Sequence, residues 1–260
     1  MRGRALAAAM QRAEAAIVGG LLPPGTVRRV GGVVCLTAPF IPHPFVNRAI
    51  GFGTFADPDE ALLERIERLF ERAGTPPRVT LPGDLASTRS RRLLDRRGFT
   101  LHEPQLDSVL LHDASGIPDP PAIRGLTIER LRPEDVTLYA RTAAASFPER
   151  PRFEEAVLPV ARRAIRSRTL HPFLARIDGE AAGTGLLTFV GRVAGMSNGT
   201  VLERFRGRGI QKALLARRMR EGLRRGYRVF FSQTQTQASL HNMLDLDWRV
   251  LYVNADYERR

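Results

Sequence analysis

Cysteine is almost missing from this chain of 260 residues, and long apolar runs are missing altogether. Cys35 is the only cysteine, so the chain can form no internal disulfide and no cysteine-based metal site. The five histidines show no ligand spacing, such as a pair four residues apart on a helix, and we therefore predict no metal. No apolar segment approaches the length that spans a membrane, so we expect no membrane association.

Lysine is equally scarce, since Lys212 is the only one, and the formal net charge of +13 therefore comes from arginine. A large positive charge can attract a polyanion. Here arginine accompanies abundant alanine, glycine and proline throughout the chain, which indicates the codon bias of a GC-rich genome. We therefore consider a nucleic-acid partner unlikely. Near the N-terminus, Gln11, Arg12 and Glu14 interrupt the apolar residues, a pattern that favours an amphipathic helix in a cytoplasmic protein.

Proline, glycine and aspartate are concentrated between residues 113 and 124, where neither a helix nor a central strand can continue. We predict a linker at residues 116–123 between domains at residues 1–115 and 124–260. In the second domain the patterns predict the following order: a strand at 126–131, a helix at 133–145, strands at 172–177, 181–190 and 193–201, a helix after residue 209, a strand at 227–232, a helix at 238–245 and a strand at 249–253.

The first half repeats much of this order. Its predicted elements are a strand at 33–37, a turn with two glycines at 48–53, a helix at 61–73, a strand at 78–81 and a helix at 87–97. Eight residues separate Ser90 from Gly98, as eight separate Ser239 from Asp247. We infer an internal duplication.

The turn Arg206–Lys212, which we call the glycine turn, joins a predicted strand to a predicted helix. It lacks the third glycine of a dinucleotide fingerprint, because Lys212 stands there, and it lacks the Gly-Lys-Ser/Thr of a Walker loop. Two glycines before an immediate helix start still direct several amide N–H groups and the positive end of the helix dipole at one point. The turn therefore predicts a site for a compact anion such as a pyrophosphate.

Val201-Leu-Glu-Arg-Phe-Arg206-Gly-Arg-Gly209-Ile-Gln211 resembles the acyl-CoA loop of the GNAT superfamily of N-acyltransferases, Arg/Gln-x-x-Gly-x-Gly/Ala. Gln211 departs from that pattern. The resemblance continues through Asn242 to Asp247-Trp248, which replaces the Leu-Gly-Phe ending of the family. It implies an α+β fold of two GNAT-like domains, each with a mixed, mostly antiparallel sheet flanked by helices. It also implies acetyl-CoA or another acyl-CoA as co-substrate.

The resemblance assigns residues to the co-substrate. Gly199, Thr200 and Val201 would pair with the pantetheine arm, and Asn242 and Ser239 would lie beside it. The pyrophosphate would be held by the glycine turn, whose members are Arg206, Gly207, Arg208, Gly209, Ile210, Gln211 and Lys212.

The first half contains the pattern Arg48-Ala-Ile-Gly51-Phe-Gly53, but its surroundings differ. The helix begins only after Asp57-Pro-Asp-Glu, so we expect Asp57 to cap it and the acidic first turn to repel phosphate. The counterpart of Asn242 is Leu93. We interpret the first domain as a degenerate copy.

N-acyl transfer needs a deprotonated amine, a polarised carbonyl and a proton for the leaving thiolate. The resemblance implies direct attack in a ternary complex, with a backbone N–H near Thr200 or Val201 on the carbonyl. The family often uses a tyrosine in the segment 238–248, which has none here. The candidates are then Ser239 and Tyr252 as acid and Glu203 as base.

Phe147 and Glu149 are the candidates for contacting the acceptor, an amine of a small molecule or peptide. Two alternatives remain open: a catalytically inactive protein that binds acyl-CoA or acts as a scaffold, and an enzyme that acylates RNA or aminoacyl-tRNA.

Overall fold

The computed structural model describes residues 3–41, 43–102, 107–114, 116–117, 119, 122–145, 147 and 150–259. Its helices are α1 (Arg4–Leu21), α2 (Glu60–Arg72), α3 (Thr88–Arg96), α4 (Val136–Ala144), α5 (Arg150–Ala164), α6 (Ile210–Arg224) and α7 (Gln237–Leu244). Its strands are β1 (Val27–Val30), β2 (Val33–Thr37), β3 (Asn47–Ile50), β4 (Arg78–Leu81), β5 (Thr100–Leu101), β6 (Ser108–His112), β7 (Leu126–Arg130), β8 (Leu170–Ile177), β9 (Glu180–Val190), β10 (Val193–Val201), β11 (Val229–Thr234), β12 (Arg249–Val253) and β13 (Ala255–Glu258).

Contacts divide the chain into two compact units. The first unit comprises Met1–Val109 and Val250–Arg260, and the second comprises Leu110–Arg249. This division differs from the predicted one, in which a linker at residues 116–123 separates the two domains. The difference arises because β13 pairs antiparallel with β4 and β5, so that residues late in the chain complete the sheet of the first unit.

A six-stranded sheet in the order β1-β2-β3-β4-β13-β5 forms the first unit. β3 and β4 pair in parallel, and α2 crosses over between them. Leu63, Ile66 and Phe70 lie on one face of α2 and are fully buried. The cap of α2 is Asp59, whose side chain accepts a hydrogen bond from the Leu62 amide at 2.7 Å, so the expectation that Asp57 caps this helix was wrong.

A seven-stranded sheet in the order β12-β6-β11-β10-β9-β8-β7 carries the second unit. The pairs β7–β8, β8–β9 and β9–β10 are antiparallel, whereas β10 and β11 are parallel and are joined through α6. Asp178 and Gly179 form the tight turn between β8 and β9, and both have the positive φ that such a turn requires, 47° and 86°. Leu214, Leu215 and Met219 of α6 pack into the main core of this unit with Phe230 and Trp248. Both units are thus mixed, mostly antiparallel sheets flanked by helices, which confirms the predicted fold class.

The two units repeat one local detail. The residue after the last helix of the repeat is left-handed in each: Gly98 has φ 76° and Asp247 has φ 60°. The aromatic residue that follows, Phe99 or Trp248, is buried. The glycine of the first copy suits this conformation better, because a side chain strains it.

Candidate active site

The sheet of the second unit opens at the end of β10. Parallel pairing with β11 runs from Val193↔Val229 to Met196↔Ser232 and stops there, although β10 continues to Val201. The antiparallel register with β9 shifts between Ser197 and Thr200, where Asn198 has a φ of 49°. The backbone from Gly199 to Val201 therefore keeps an edge that β11 does not pair with.

The glycine turn follows this edge directly. A short 3-10 helix at Glu203–Phe205 buries Phe205, and the next residues lead into α6. Gly207 and Gly209 both have left-handed backbones, with φ of 78° and 79°. Such values strain any residue with a Cβ, so these glycines are conformational requirements of the turn.

No side chain caps α6, and the amides of the glycine turn are free for a ligand. Within the described part of the chain, the N–H groups from Gly207 to Lys212 find no acceptor, and the first helical hydrogen bond is that from Ala213 to the Gly209 carbonyl at 3.1 Å. Free amides at the positive end of a helix dipole bind anions.

The corresponding turn of the first unit is closed. The Gly53 amide donates to the Ala56 carbonyl at 2.9 Å, and the Phe55 amide donates to the Gly51 carbonyl at 2.7 Å. The Phe55 ring lies against Gly51, where a Cβ would collide with it. Leu93, the counterpart of Asn242, is buried in the core. Two similar sequence patterns thus give acceptor-free amides in the second unit and a closed turn in the first.

Gln211 connects the glycine turn to α7. Its Nε2 donates to Ser239 Oγ at 3.0 Å, and Asn242 Nδ2 donates to its Oε1 at 2.9 Å. Lys212, one residue on, forms an ion pair with Asp245 at 2.6 Å. Thr236 caps α7 by accepting from the Ser239 amide at 3.3 Å. The structure thus brings Ser239 and Asn242 beside the glycine turn, and sequence reasoning did not foresee that Gln211 would link them.

The basic side chains of the turn are exposed. Arg206 Nε donates to the Val201 carbonyl at 3.4 Å, and the Arg208 guanidinium lies 5.6 Å from the centre of the Phe205 ring. Both remain on the surface beside the free amides. Glu203 is also exposed, and its carboxylate forms no ion pair with the described residues.

The remaining candidates lie elsewhere. Tyr252 is buried on β12, and burial, followed by Glu14 and Asp107, raises the pKa of its hydroxyl. Phe147 stacks on Phe153 with ring centres 3.8 Å apart. Glu149 lies outside the described residues.

Neither a metal cluster nor a membrane span is found in the described ranges. No group of three His, Cys, Asp or Glu residues there is arranged to hold a metal ion. No helix there combines the length and the apolar character that crossing a membrane requires.

Comparison with family models gives one match. The model of the acetyltransferase (GNAT) family matches residues 136–244, which include β10, the glycine turn and α7. No curated protein matches the chain.

Solved structures match both units. A GCN5-related N-acetyltransferase from Kribbella flavida is 16% identical with a TM-score of 0.70, covering 96% of this chain and 95% of that one. A functionally unknown conserved protein from Staphylococcus epidermidis is 12% identical with a TM-score of 0.64, covering 90% and 93%. A tandem GNAT protein from the clavulanic acid biosynthesis pathway is 14% identical with a TM-score of 0.56, covering 76% and 69%. Residues 136–244 therefore match the acetyltransferase (GNAT) family, in a chain with the two-domain GNAT fold.

Proposed function

We propose that the chain transfers an acetyl or other short acyl group from coenzyme A to an amine of a small molecule or peptide, by direct attack in a ternary complex. The observation that carries this proposal is the run of acceptor-free amides from Gly207 to Lys212 beside the unpaired edge of β10. A pyrophosphate suits the amides, and an extended amide-containing arm suits a strand edge.

The residues around this opening take the binding roles. Arg206 and Arg208 add positive charge next to the free amides. Gly199, Thr200 and Val201 supply backbone groups for the pantetheine arm, and a backbone N–H at Thr200 or Val201 polarises the acyl carbonyl. Asn242 and Ser239 supply side-chain hydrogen bonds. The bound thioester provides the activated acyl group.

Glu203 is the proposed base, acting through a water molecule. Its exposed carboxylate follows Val201 by two residues and forms no ion pair among the described residues. It takes a proton from the amine as the nitrogen forms its bond to the acyl carbon. The bond from that carbon to sulfur then breaks.

Ser239 is the proposed acid for the departing thiolate. Its Oγ accepts the hydrogen bond from Gln211, so its own hydroxyl proton stays available for donation. Tyr252 has a raised pKa that keeps its hydroxyl protonated, and its role as an alternative acid stays a prediction.

The first test measures binding and turnover separately. We expect coenzyme A and acetyl-CoA, but not NAD, to raise the melting temperature, and we expect free thiol to be released from acetyl-CoA when an amine panel is added. A protein whose melting temperature is indifferent to every CoA species would overturn the proposal.

A second candidate is an acyl-CoA-binding protein without activity. Two observations favour it: α7 contains no tyrosine, and Gln211 is hydrogen-bonded to both Ser239 and Asn242. Binding of acetyl-CoA without thiol release under any acceptor would select this candidate.

Acylation of RNA or aminoacyl-tRNA receives less support. Some of the surface arginines are engaged within the chain, since Glu221 forms ion pairs with Arg217, Arg224 and Arg225. A steep fall of RNA affinity with rising salt would be needed to revive that function.

A further inference from the structure

Arg218 of α6 is a buried cation without a buried anion. Only 2% of its surface is exposed. Its Nε donates to the Leu214 carbonyl at 3.0 Å, and its Nη1 donates to the Leu186 and Ser197 carbonyls at 3.1 and 3.2 Å. Among the residues that the structure describes, no carboxylate pairs with it. Burial lowers its pKa to about 10, so the guanidinium is still charged at neutral pH. Proteins rarely bury a charge without a counter-charge.

Two glycines create the space that the guanidinium fills. A Cβ at Gly185 would lie 2.8 Å from Cζ of Arg218, a distance that atoms do not tolerate. A Cβ at Gly199 would lie 3.7 Å from Nη2. Gly199 is exposed, so no side chain at that position separates Nη2 from the surface. Nη2 makes no hydrogen bond to the described residues and is therefore the free end of the group.

Two more polar groups with unused hydrogen-bonding capacity belong to the surroundings of Arg218. The Tyr139 hydroxyl of α4 is buried and has no hydrogen-bond partner in the described chain, and α4 packs against β9 and β10, the strands whose Leu186 and Ser197 carbonyls bind Arg218. The Ser197 hydroxyl is also buried without a hydrogen-bond partner among the described residues. The backbone carbonyl of Ser197 accepts a hydrogen bond from Arg218. Buried polar groups without partners are uncommon in folded proteins and call for an explanation.

We propose that Arg218 and Tyr139 recognise a carboxylate on the ligand that lies against Gly199. This inference rests on the proposed function, which places the acyl-CoA along the same strand. A guanidinium with a free nitrogen and a nearby hydroxyl donor suits a carboxylate, whose two oxygens accept both. The carboxylate belongs either to a dicarboxylic acyl group on the donor or to the amine acceptor.

Steady-state kinetics distinguish these two sources. In the donor arm, succinyl-CoA is compared with butyryl-CoA, which has the same chain length and no carboxylate. In the acceptor arm, amino acids are compared with their carboxamides in the presence of acetyl-CoA. We expect one arm to show a preference in kcat/KM of at least about tenfold for the carboxylate, the effect of a charge-assisted hydrogen bond. No preference in either arm would overturn the inference.

Variants test whether Arg218 causes the preference. Arg218→Met should remove it, and Tyr139→Phe should reduce it. The control is Arg224→Met, an exposed arginine of the same helix, which should keep it. A preference that survives Arg218→Met would overturn the inference.

Gly199→Ala gives the decision if Arg218→Met fails to fold, because Arg218 also binds backbone carbonyls. Its methyl group would lie in ordinary contact distance of Nη2 and would cover it, while Arg218 and its hydrogen bonds stay in place. We expect this variant to lose the preference for the carboxylate, and an unchanged preference would contradict us. Binding of unacylated coenzyme A to the unchanged protein is measured in parallel. Absence of this binding refutes the proposed function. Binding without any preference for the carboxylate refutes only this inference.

Discussion

Asn242 donates its side-chain amide to Oε1 of Gln211 at 2.9 Å, and this contact joins α7 to the first turn of α6. The same Gln211 side chain donates to Ser239 at 3.0 Å. Ser239 and Asn242, which we assign to the pantetheine arm, are therefore both hydrogen-bonded to Gln211. The family pattern has glycine or alanine at the position of Gln211. A ligand that uses Asn242 must compete with Gln211.

Gln211→Ala should therefore bind coenzyme A more tightly. Releasing one net hydrogen bond corresponds to an affinity gain of about two- to tenfold, measured by isothermal titration calorimetry. Gln237→Ala, at an exposed position of α7, serves as the control and should leave the affinity unchanged. Weaker binding by Gln211→Ala would mean that Gln211 itself contacts the ligand.

Gly209 and Gly226 form a matched pair for the glycine turn. Both are left-handed, with φ of 79° and 84°, and neither has a neighbour that an added Cβ would strike. Alanine should cost about 1 to 2 kcal/mol of unfolding free energy at either position. Only Gly209→Ala should weaken binding of coenzyme A, because only Gly209 opens α6 beside the free amides. An equal loss of affinity in both variants would show that the effect is general destabilisation.

Arg48 in the first unit should be essential for stability. It is 1% exposed, and it pairs with Glu14 at 2.5 Å and with Asp107 at 3.2 Å. Arg48→Met leaves buried carboxylates without their cation, so we expect a loss of about 3 to 5 kcal/mol in urea unfolding. Arg68→Met is the control, since Arg68 is 56% exposed in a surface pair with Glu64, and it should cost less than about 0.5 kcal/mol. Similar losses for the two variants would contradict this ranking.

His171 should make stability fall in acid. It is fully buried, and burial lowers its pKa from 6.5 to about 4. Between these values the unfolded chain binds a proton that the folded chain excludes. The stabilising contribution is therefore complete above about pH 6.5 and is lost as the pH falls toward 4, by on the order of 2 to 3 kcal/mol.

Urea unfolding at pH 7, 5.5 and 4.5 measures this loss. His171→Gln should flatten the profile, whereas His241→Gln, at an exposed position, should keep it. A His171→Gln profile as steep as that of the wild type would assign the acid sensitivity to other groups.

Cys35 should not react with thiol reagents in the folded protein. It is fully buried in β2, and burial raises the pKa of its thiol to about 12. Since the thiolate is the reactive species, labelling by a disulfide reagent should be slow until urea unfolds the first unit. Fast labelling of the native protein would show that β2 opens readily.

The glycine turn was predictable because its signal is local. A strand, two glycines and a helix start follow one another, and β10 and β12 have the bounds that the alternation indicated. β13 was missed, because the pairing of Tyr257 with Val79 joins residues far apart in sequence, and neither segment reveals the other. Asp57 was chosen as the cap of α2 because two aspartates flank the same proline, and only the backbone decides between them.

Arg218 was invisible to the sequence for a different reason. In an arginine-rich chain, an arginine inside an amphipathic helix suggests a solvent-exposed face. Its burial depends on the absence of side chains at Gly185 and Gly199, which lie on two other strands. Such a site requires knowledge of three elements at once.

The position of β13 between β4 and β5 has a consequence for biosynthesis. The ribosome synthesises β4 and β5 before the second unit, and it synthesises residues 255–258 after it. The sheet of the first unit therefore lacks the strand between β4 and β5 while the second unit is being made. The six-stranded sheet can therefore be completed only after the second unit has been synthesised.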